Sequence, residues 1–258
     1  MPSSSTPVFQ DLAPVGGASN TIGVGTWLAA GLRLLPDLPI LLPGLLRLAL
    51  LRPHQTGSIG LSFERCAANH ATRPALRFEE RSWTYAELNA WANQLAHRLK
   101  QAGVKTGDAV GLLMENRPEV LAYTLGIVKL GATVTLLNHH LRGEALAHTL
   151  RITGPRIVIL GAECEDAALS LTGDHPAPHP ITWWWDGDGG GAPHGWGDLR
   201  ADMARSPTGN LPETAQITLK QAAFHIFTSG TTGMPKASVM SHYRWHRCMY
   251  GLGVLGLR

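Results

Sequence analysis

The chain has 258 residues, a length that suits one large domain or two small ones and is ample to bury a hydrophobic core. Hydrophobic residues make up 44% of the chain and charged residues 16%, a balance that indicates a globular protein rather than a disordered one. The formal net charge of +3 is slight and the basic residues are scattered, so composition excludes a strongly basic nucleic-acid-binding protein.

The three cysteines, Cys66, Cys164 and Cys248, are far apart in the sequence and odd in number. They form no CxxC pair and do not have the spacing of zinc ligands. We therefore expect isolated, reduced thiols in a cytoplasmic protein, with no disulfide framework and no structural metal.

The amino-terminal region divides into two parts. Residues 1–20 are rich in Ser, Pro and Gly and are predicted to lack structure, whereas Thr26–Leu51 is strongly apolar. No basic region precedes this apolar stretch, which argues against a signal peptide. Charges and prolines that disfavour a membrane-spanning helix interrupt the stretch: Arg33, Asp37 and Arg47, and Pro36, Pro39 and Pro43.

Two interpretations of the apolar stretch stay open. It packs on the folded domain, or it lies in a membrane interface, which would place the protein peripherally at the inner face of a membrane. We accordingly expect residues 1–56 to be a disordered start followed by this apolar segment, and residues 57–258 to be the folded part.

The folded part is predicted to begin with a hairpin and a helix. Strand-like runs at Pro74–Phe78 and Ser82–Thr84 flank a polar turn. Thr84 and Glu87 have the spacing of a capping box, in which the two side chains bind backbone N–H groups at a helix start. The helix that follows is predicted to end at Gly103 and to place these apolar residues on one face: Leu88, Trp91, Leu95, Leu99 and Ala102.

Strands and helices then alternate. Strands are predicted at Asp108–Met114, Ala132–Leu137, Arg156–Leu160 and Gln221–Phe227, and helices at Pro118–Leu130, with Asn116 as its cap, and at Arg142–Ile152. The strands are apolar throughout rather than at every second position, which is typical of strands that helices cover on both faces. The pattern predicts an α/β fold with a doubly wound, mostly parallel sheet and flanking helices.

Residues 161–215 interrupt this alternation, because glycines and prolines accumulate there. The sequence predicts a long irregular excursion with one short strand at Ile181–Trp185, whose tryptophans pack at an edge. The acidic run Glu163–Asp166 is predicted to be a solvated turn without a partner. His225, His242 and His246 are predicted to make structural hydrogen bonds rather than to contact a ligand.

Directly after the last predicted strand lies a segment rich in Gly, Ser and Thr that ends in a lysine, Thr228–Lys236. Two glycines let the backbone approach phosphate oxygens closely, four hydroxyls and free N–H groups can form an anion-binding concavity, and the lysine can neutralise charge. It is not a Walker-type loop, since no Gly-Lys pair is present. By composition alone, an exposed turn between two strands is the favoured interpretation.

The order of residues in Thr228-Ser-Gly-Thr-Thr-Gly-Met-Pro-Lys236 resembles the signature loop of the acyl-adenylate-forming superfamily, which includes acyl-CoA synthetases, peptide-synthetase adenylation domains and luciferases. Ser82–Asn93, Gly107–Glu119 and Gly126–Ala132 are also similar to this superfamily. Leu137–His148, with its Asn-x-x-Leu-Arg pattern, and Ala237 are similar to one branch, the very-long-chain acyl-CoA synthetases and fatty-acid transport proteins. This similarity disfavours a peptide synthetase.

The resemblance implies a ligase that uses ATP and Mg²⁺ to activate a long- or very-long-chain fatty acid as acyl-AMP and then transfers the acyl group to coenzyme A. It implies that the following residues bind the ATP phosphates: Thr228, Ser229, Gly230, Thr231, Thr232, Gly233 and Lys236. Thr228 would also be a ligand of Mg²⁺.

The family's catalytic motifs follow the phosphate loop and have no counterpart before Arg258. We therefore expect an incomplete N-terminal part of the fold that carries no catalytic residue and is inactive alone. The alternative is a non-catalytic remnant that acts as a weak nucleotide- or membrane-binding module.

Overall fold

The structure is a computed structural model that describes Gly25 and residues 38–187, 189, 191–228 and 234–255. Its strands are β1 (Pro74–Phe78), β2 (Arg81–Thr84), β3 (Ala109–Leu113), β4 (Thr133–Leu137), β5 (Ile157–Gly161), β6 (Thr182–Asp186), β7 (Gly197–Asp198), β8 (Ala222–Thr228) and β9 (Lys236–Ser241). Its α-helices are α1 (Leu38–Leu50), α2 (Ile59–Asn69), α3 (Tyr85–Gln101), α4 (Pro118–Lys129), α5 (Gly143–Thr153), α6 (Glu165–Leu169), α7 (Leu199–Met203) and α8 (His242–Leu255).

Seven strands form one sheet in the order β7-β6-β5-β3-β4-β8-β9, and β1 and β2 form a separate hairpin. Every neighbouring pair in the large sheet is parallel except β8 and β9, which are antiparallel. The predicted α/β fold with a mostly parallel sheet and flanking helices is therefore confirmed.

The central strands bury both faces, and successive side chains enter different cores. In β5, Ile157 and Ile159 pack with the α3 and α4 side chains, whereas Val158 and Leu160 pack with those of α5 and α6. This alternation follows from the two-residue repeat of a strand. It explains why the strands are apolar at every position.

The helix starts agree with the sequence prediction in one case and differ in the other. At α3, Thr84 and Glu87 form the predicted capping box. At α4, the residue before the helix is Arg117 rather than Asn116, and its side chain makes no capping hydrogen bond. Pro118 occupies the first turn, where a missing N–H has no intrahelical partner to lose.

The prediction that Ala102 is the last residue of the apolar face of α3 is also wrong. Leu88, Leu95 and Leu99 are buried, but Ala102 lies beyond the last helical residue and is exposed. The backbone leaves the helix there, and Gly103 has the positive φ of +85° that a glycine adopts without strain.

The region 161–215 is more regular than predicted. It contributes α6, β7 and α7 as well as the expected strand β6, and β6 and β7 extend the sheet at one edge. Trp184 and Trp185 of β6 are buried in different cores rather than packed at a loop edge. Tertiary packing around these large side chains orders a segment whose glycine and proline content suggests a loop.

The acidic run Glu163–Asp166 has partners, contrary to the prediction. Glu163 Oε1 lies 3.3 Å from Arg117 Nε, and Asp166 Oδ2 lies 2.8 Å from Arg142 Nη2. Arg117 Nη2 also pairs at 3.0 Å with Asp186, whose side chain is fully buried. The two Arg117 pairs join the segments that follow β3 and β5 to the end of β6, and the Arg142 pair joins the start of α5 to α6.

Helix α1 packs against α8 and exposes much of its surface. Leu42, Leu46 and Leu50 are each more than half exposed. Within the described part of the chain, no helix is both long and apolar enough to cross the bilayer. The predicted disordered start lies outside the described residues, as does the apolar stretch at positions 26–37.

Lys129, at the end of α4, is completely buried. Its Nζ atom lies 3.0 Å from Glu64 Oε1 of α2 and 2.6 Å from Asn89 Oδ1 of α3, and it also donates to Asn93 Oδ1. Thr214 Oγ1 donates to the Lys129 carbonyl at 3.0 Å. Burial lowers the pKa of Lys129, and the Glu64 carboxylate opposes that shift. One ammonium group thus joins α2, α3 and α4.

We expect Lys129→Met to lower the free energy of unfolding by about 3 kcal/mol, because it leaves the Glu64 carboxylate without its cation in a nearly closed site. The matched control is Lys100→Met, which removes an exposed pair with Glu213 and should cost less than about 1 kcal/mol. Urea unfolding followed by tryptophan fluorescence measures both. Equal losses for the two variants would contradict a structural role for the buried ammonium.

Candidate functional site

The candidate site lies where β8 ends and β9 begins. Thr228 is directly opposite Lys236 in this antiparallel pair, and the chain between them reverses direction. Because β8 runs parallel to β4, its last residues lie at the carboxyl edge of the sheet. Ligands of open α/β sheets bind at this edge.

Thr228 and Lys236 are both exposed. Residues directly opposite in an antiparallel pair project their side chains from the same face of the sheet. A hydroxyl and an ammonium group are therefore offered side by side to the solvent. An ammonium beside a hydroxyl suits a phosphate, and a hydroxyl oxygen is also a ligand that Mg²⁺ accepts.

The other predicted phosphate-binding residues, Ser229, Gly230, Thr231, Thr232 and Gly233, lie outside the described residues. The structure therefore gives the two ends of the loop, and the sequence gives its composition. The loop is five residues between β8 and the Met234-Pro235 step that leads into β9.

The strand that enters the loop is held by the sheet. Phe224 is buried, and His225 pairs in register with Thr135 of β4. The Thr135 hydroxyl and His225 Nδ1 are 2.9 Å apart, and burial lowers the pKa of His225. Strand β8 is thus fixed to β4 at positions three and four residues before Thr228.

The strand that leaves the loop is held from a different element. His148 of α5 places its Nε2 atom 3.0 Å from the carbonyl oxygen of Pro235, the residue before Lys236. His148 ends the segment Leu137–His148, whose sequence resembles one branch of the superfamily, but that resemblance does not predict this contact. Nothing in the sequence pairs a helix residue with a backbone carbonyl that lies 87 positions later.

His242 and His246 hold α8 against α2, as the prediction of structural hydrogen bonds required. The Ile59 N–H donates to His242 Nδ1 at 3.2 Å, and His246 Nε2 lies 3.0 Å from Ser62 Oγ. His246 Nδ1 donates to the His242 carbonyl at 2.7 Å. Burial, with a smaller effect of His246, lowers the pKa of His242 to about 4.

Comparison with known proteins assigns the family. The family model described as AMP-binding enzyme matches residues 63–256. The chain belongs to this family. The matched region contains the whole large sheet and the loop between β8 and β9.

Individual relatives of this AMP-binding chain agree with that assignment. It is 35% identical over 250 residues to the medium/long-chain-fatty-acid–CoA ligase FadD6 of Mycobacterium tuberculosis, covering 94% of the chain and 39% of the ligase. It is 34% identical over 170 residues to human long-chain fatty acid transport protein 1, covering 64% of the chain and 26% of that protein.

Among solved structures, the anthranilate CoA ligase AuaEII in complex with anthranoyl-AMP is similar to the AMP-binding chain with a TM-score of 0.71 and 28% identity. The match covers 82% of this chain and 40% of that enzyme. The chain therefore spans about two fifths of the length of these two ligases, FadD6 and AuaEII.

Because His242 is buried in its neutral form, we expect the stability of the fold to depend on pH. Its native pKa of about 4 is below the ordinary value of 6.5, so the unfolded chain binds the proton first as pH falls. The stability that depends on this group is complete above about pH 6.5 and is lost as pH falls toward 4. We expect a loss of about 3 kcal/mol in total, at about 1.4 kcal/mol per unit of separation.

Urea unfolding between pH 7 and pH 4.5 tests this, with His242→Asn compared with the original chain. The variant should be less sensitive to pH across this window, because its residue 242 does not titrate. His54→Asn, which changes an exposed histidine, is the control. If His242→Asn and the original chain lose stability in parallel, the buried ring is not responsible.

Proposed function

We propose that this chain binds the phosphates of ATP at the turn between β8 and β9 and serves as the phosphate-binding part of a fatty acid–CoA ligase. The single observation that carries the proposal is the pairing of exposed Thr228 with exposed Lys236 at the carboxyl edge of the sheet, in a chain of the AMP-binding family. The Lys236 ammonium and the Thr228 hydroxyl meet there.

In the proposed complex, the Lys236 ammonium neutralises charge on the β- and γ-phosphates. The backbone N–H groups and hydroxyls of the loop donate to phosphate oxygens; these residues are Thr228, Ser229, Gly230, Thr231, Thr232 and Gly233. Such a site acts by orientation and electrostatic stabilisation and needs no covalent step of its own. The Thr228 hydroxyl contributes one oxygen ligand to Mg²⁺, which takes its remaining ligands from phosphates and water.

The proposed reaction has two steps. The carboxylate of a fatty acid attacks the α-phosphorus of ATP, so that acyl-AMP forms and pyrophosphate leaves. The coenzyme A thiol then attacks the acyl carbon, giving the thioester and releasing AMP. A long- or very-long-chain fatty acid is the proposed substrate, and the similarity to FadD6 and to fatty acid transport protein 1 supports that class.

Because the chain spans only part of its relatives' length, we propose that this polypeptide contributes phosphate binding and does not complete adenylation alone. Its alternative function, a non-catalytic nucleotide-binding module, uses the same loop. Neither the phosphate-binding part of a ligase nor a non-catalytic module should turn over substrate alone, whereas a complete ligase would. The chain supplied with ATP, Mg²⁺, a long-chain fatty acid and CoA should release no pyrophosphate above background, and measurable release would show that it is a complete catalyst.

Lys236→Ala tests the phosphate site directly. We expect the variant to bind MgATP about 10- to 100-fold more weakly than the original chain, because a hydrogen bond to a charged group contributes about 1.5–3 kcal/mol. Isothermal titration calorimetry measures the dissociation constant. The matched control is Lys220→Ala, which removes an exposed lysine just before β8, at the other end of the strand.

Three results are informative. Loss of affinity in Lys236→Ala with an unchanged Lys220→Ala supports the site. Equal, small losses in both would mean that only net charge matters. Unchanged binding in both would place the nucleotide elsewhere and contradict the proposal.

A second function, peripheral membrane contact, is favoured by the composition and exposure of α1. Leu42, Leu46 and Leu50 repeat at four-residue intervals and are exposed, so they lie along one side of the helix. The charged residues between Leu38 and Ser62 are all arginines, Arg47 and Arg52. An exposed apolar stripe beside positive charge fits the interface of an anionic lipid bilayer.

We expect the double variant Leu46→Ser/Leu50→Ser to bind phosphatidylglycerol-containing vesicles at least about tenfold more weakly, since each leucine that enters the interface contributes on the order of 1 kcal/mol. The control Leu121→Ser/Leu169→Ser changes two leucines that are exposed on other helices. Vesicle co-sedimentation measures the partition. Equal binding of both double variants would rule out α1 as the contact.

A further inference from the structure

We propose that His148 is a positioning residue for Lys236: it fixes the peptide group from which the lysine leaves the turn. The inference rests on the phosphate-binding function proposed above and adds a residue to it from a separate helix. Three features of the described residues carry it: a hydrogen bond to the turn, the rigidity of the peptide that this bond holds, and the anchoring of α5.

The hydrogen bond has one possible direction. The Pro235 carbonyl can only accept, so His148 Nε2 must carry the hydrogen across the 3.0 Å between them. Proline has no N–H, so its carbonyl is the one backbone group through which Pro235 can be held. Both His148 and Pro235 are half-buried, which limits competition from water.

The held oxygen belongs to the same planar group as the amide nitrogen of Lys236. The peptide unit is rigid, so a partner that fixes the Pro235 oxygen also fixes the plane that leads to the Lys236 Cα atom. From that atom the lysine extends a flexible four-carbon stem with large rotamer freedom. The place where the stem begins therefore determines which positions the ammonium can reach.

His148 can act as a fixed support because α5 is anchored at its start. Arg142 forms a two-pronged pair with Asp166, with Nε–Oδ2 at 2.9 Å and Nη2–Oδ1 at 2.8 Å, and the Gly143 N–H donates to Ser170 Oγ at 2.8 Å. Leu146 and Leu150 on the same helix are fully buried. A bidentate arginine pair gives directional as well as electrostatic restraint.

This arrangement explains the spacing of the segment Leu137–His148. β4 ends at Leu137, Arg142 binds Asp166 of the neighbouring helix α6, and His148 lies six residues further along α5, about 9 Å at the rise of an α-helix. Arg142 restrains the start of α5 through Asp166, and His148, on the same helix, contacts the Pro235 carbonyl. The two residues form one support with two contacts.

The experiment compares His148→Ala with His148→Gln, whose side-chain amide N–H can still donate to the carbonyl. The chain also offers a matched control. His179 makes the same kind of bond, Nε2 to the Pro155 carbonyl at 2.9 Å, at a site before β5 and away from the turn. His179→Ala therefore removes an equivalent hydrogen bond without touching Pro235.

The first measurement needs no nucleotide. Hydrogen–deuterium exchange of peptides that cover Thr228 and Lys236–Ser241 should be about fivefold faster in His148→Ala, as expected for loss of one hydrogen bond of about 1 kcal/mol, and close to the original rate in His148→Gln. His179→Ala should leave these peptides unchanged. Equal exchange in His148→Ala and the original chain would overturn the proposed support.

The second measurement is calorimetric binding of magnesium tripolyphosphate, which probes the phosphate contacts alone. We expect about fivefold weaker binding in His148→Ala, near-original binding in His148→Gln, and no change in His179→Ala. Faster exchange with unchanged affinity would reduce His148 to a structural contact and overturn its positioning role. If the original chain bound no tripolyphosphate, the proposed phosphate site would be wrong, while the exchange result would still decide whether His148 restrains the turn.

Discussion

The antiparallel pairing of β8 with β9, on an otherwise parallel sheet, is the constraint on which the candidate site depends. Parallel strands need long crossovers, whereas an antiparallel pair can be joined by a short loop. The reversal keeps Thr228 and Lys236 opposite each other, so a hydroxyl and an ammonium meet at the carboxyl edge although seven residues separate them. Without the reversal, the chain after Thr228 would leave the sheet toward a helix, and the lysine would have no fixed place beside the threonine.

Strand β4 and helix α5 contact the two strands that flank the β8–β9 turn. β8 is joined to β4 through the Phe224 and His225 register, and the two cores on opposite faces of the sheet fix β4 in turn. α5 packs against one of these cores and reaches the outgoing strand through His148. The buried Lys129 ammonium plays a comparable role on the other face, where it joins α4 to α3 through Asn89 and Asn93 and to α2 through Glu64. The polar contacts of His148 and Lys129 are directional, so they fix the relative orientation of helices and strands more narrowly than apolar packing does.

Membership of the AMP-binding family and the local geometry support each other from independent directions. The family match covers residues 63–256 and says nothing about which atoms meet, whereas the contacts around Thr228 and Lys236 say nothing about ancestry. The proposed phosphate site lies where the two coincide. The exposed leucines of α1 form a separate surface beside α8, and this is the surface for which we propose the lipid contact.

The sequence by itself determined the fold class, the Thr84–Glu87 capping box and the composition of the loop, because strand and helix periodicity, capping and glycine-rich turns are local properties that neighbouring residues encode. Only the tertiary structure decided that residues 161–215 add β7, α6 and α7 to the predicted strand β6, that Glu163 and Asp166 have arginine partners, and that His148 holds Pro235. These features join residues from 24 to 87 positions apart, or depend on burial of tryptophans in cores that other segments build. Such contacts arise from packing in three dimensions, which no local pattern specifies.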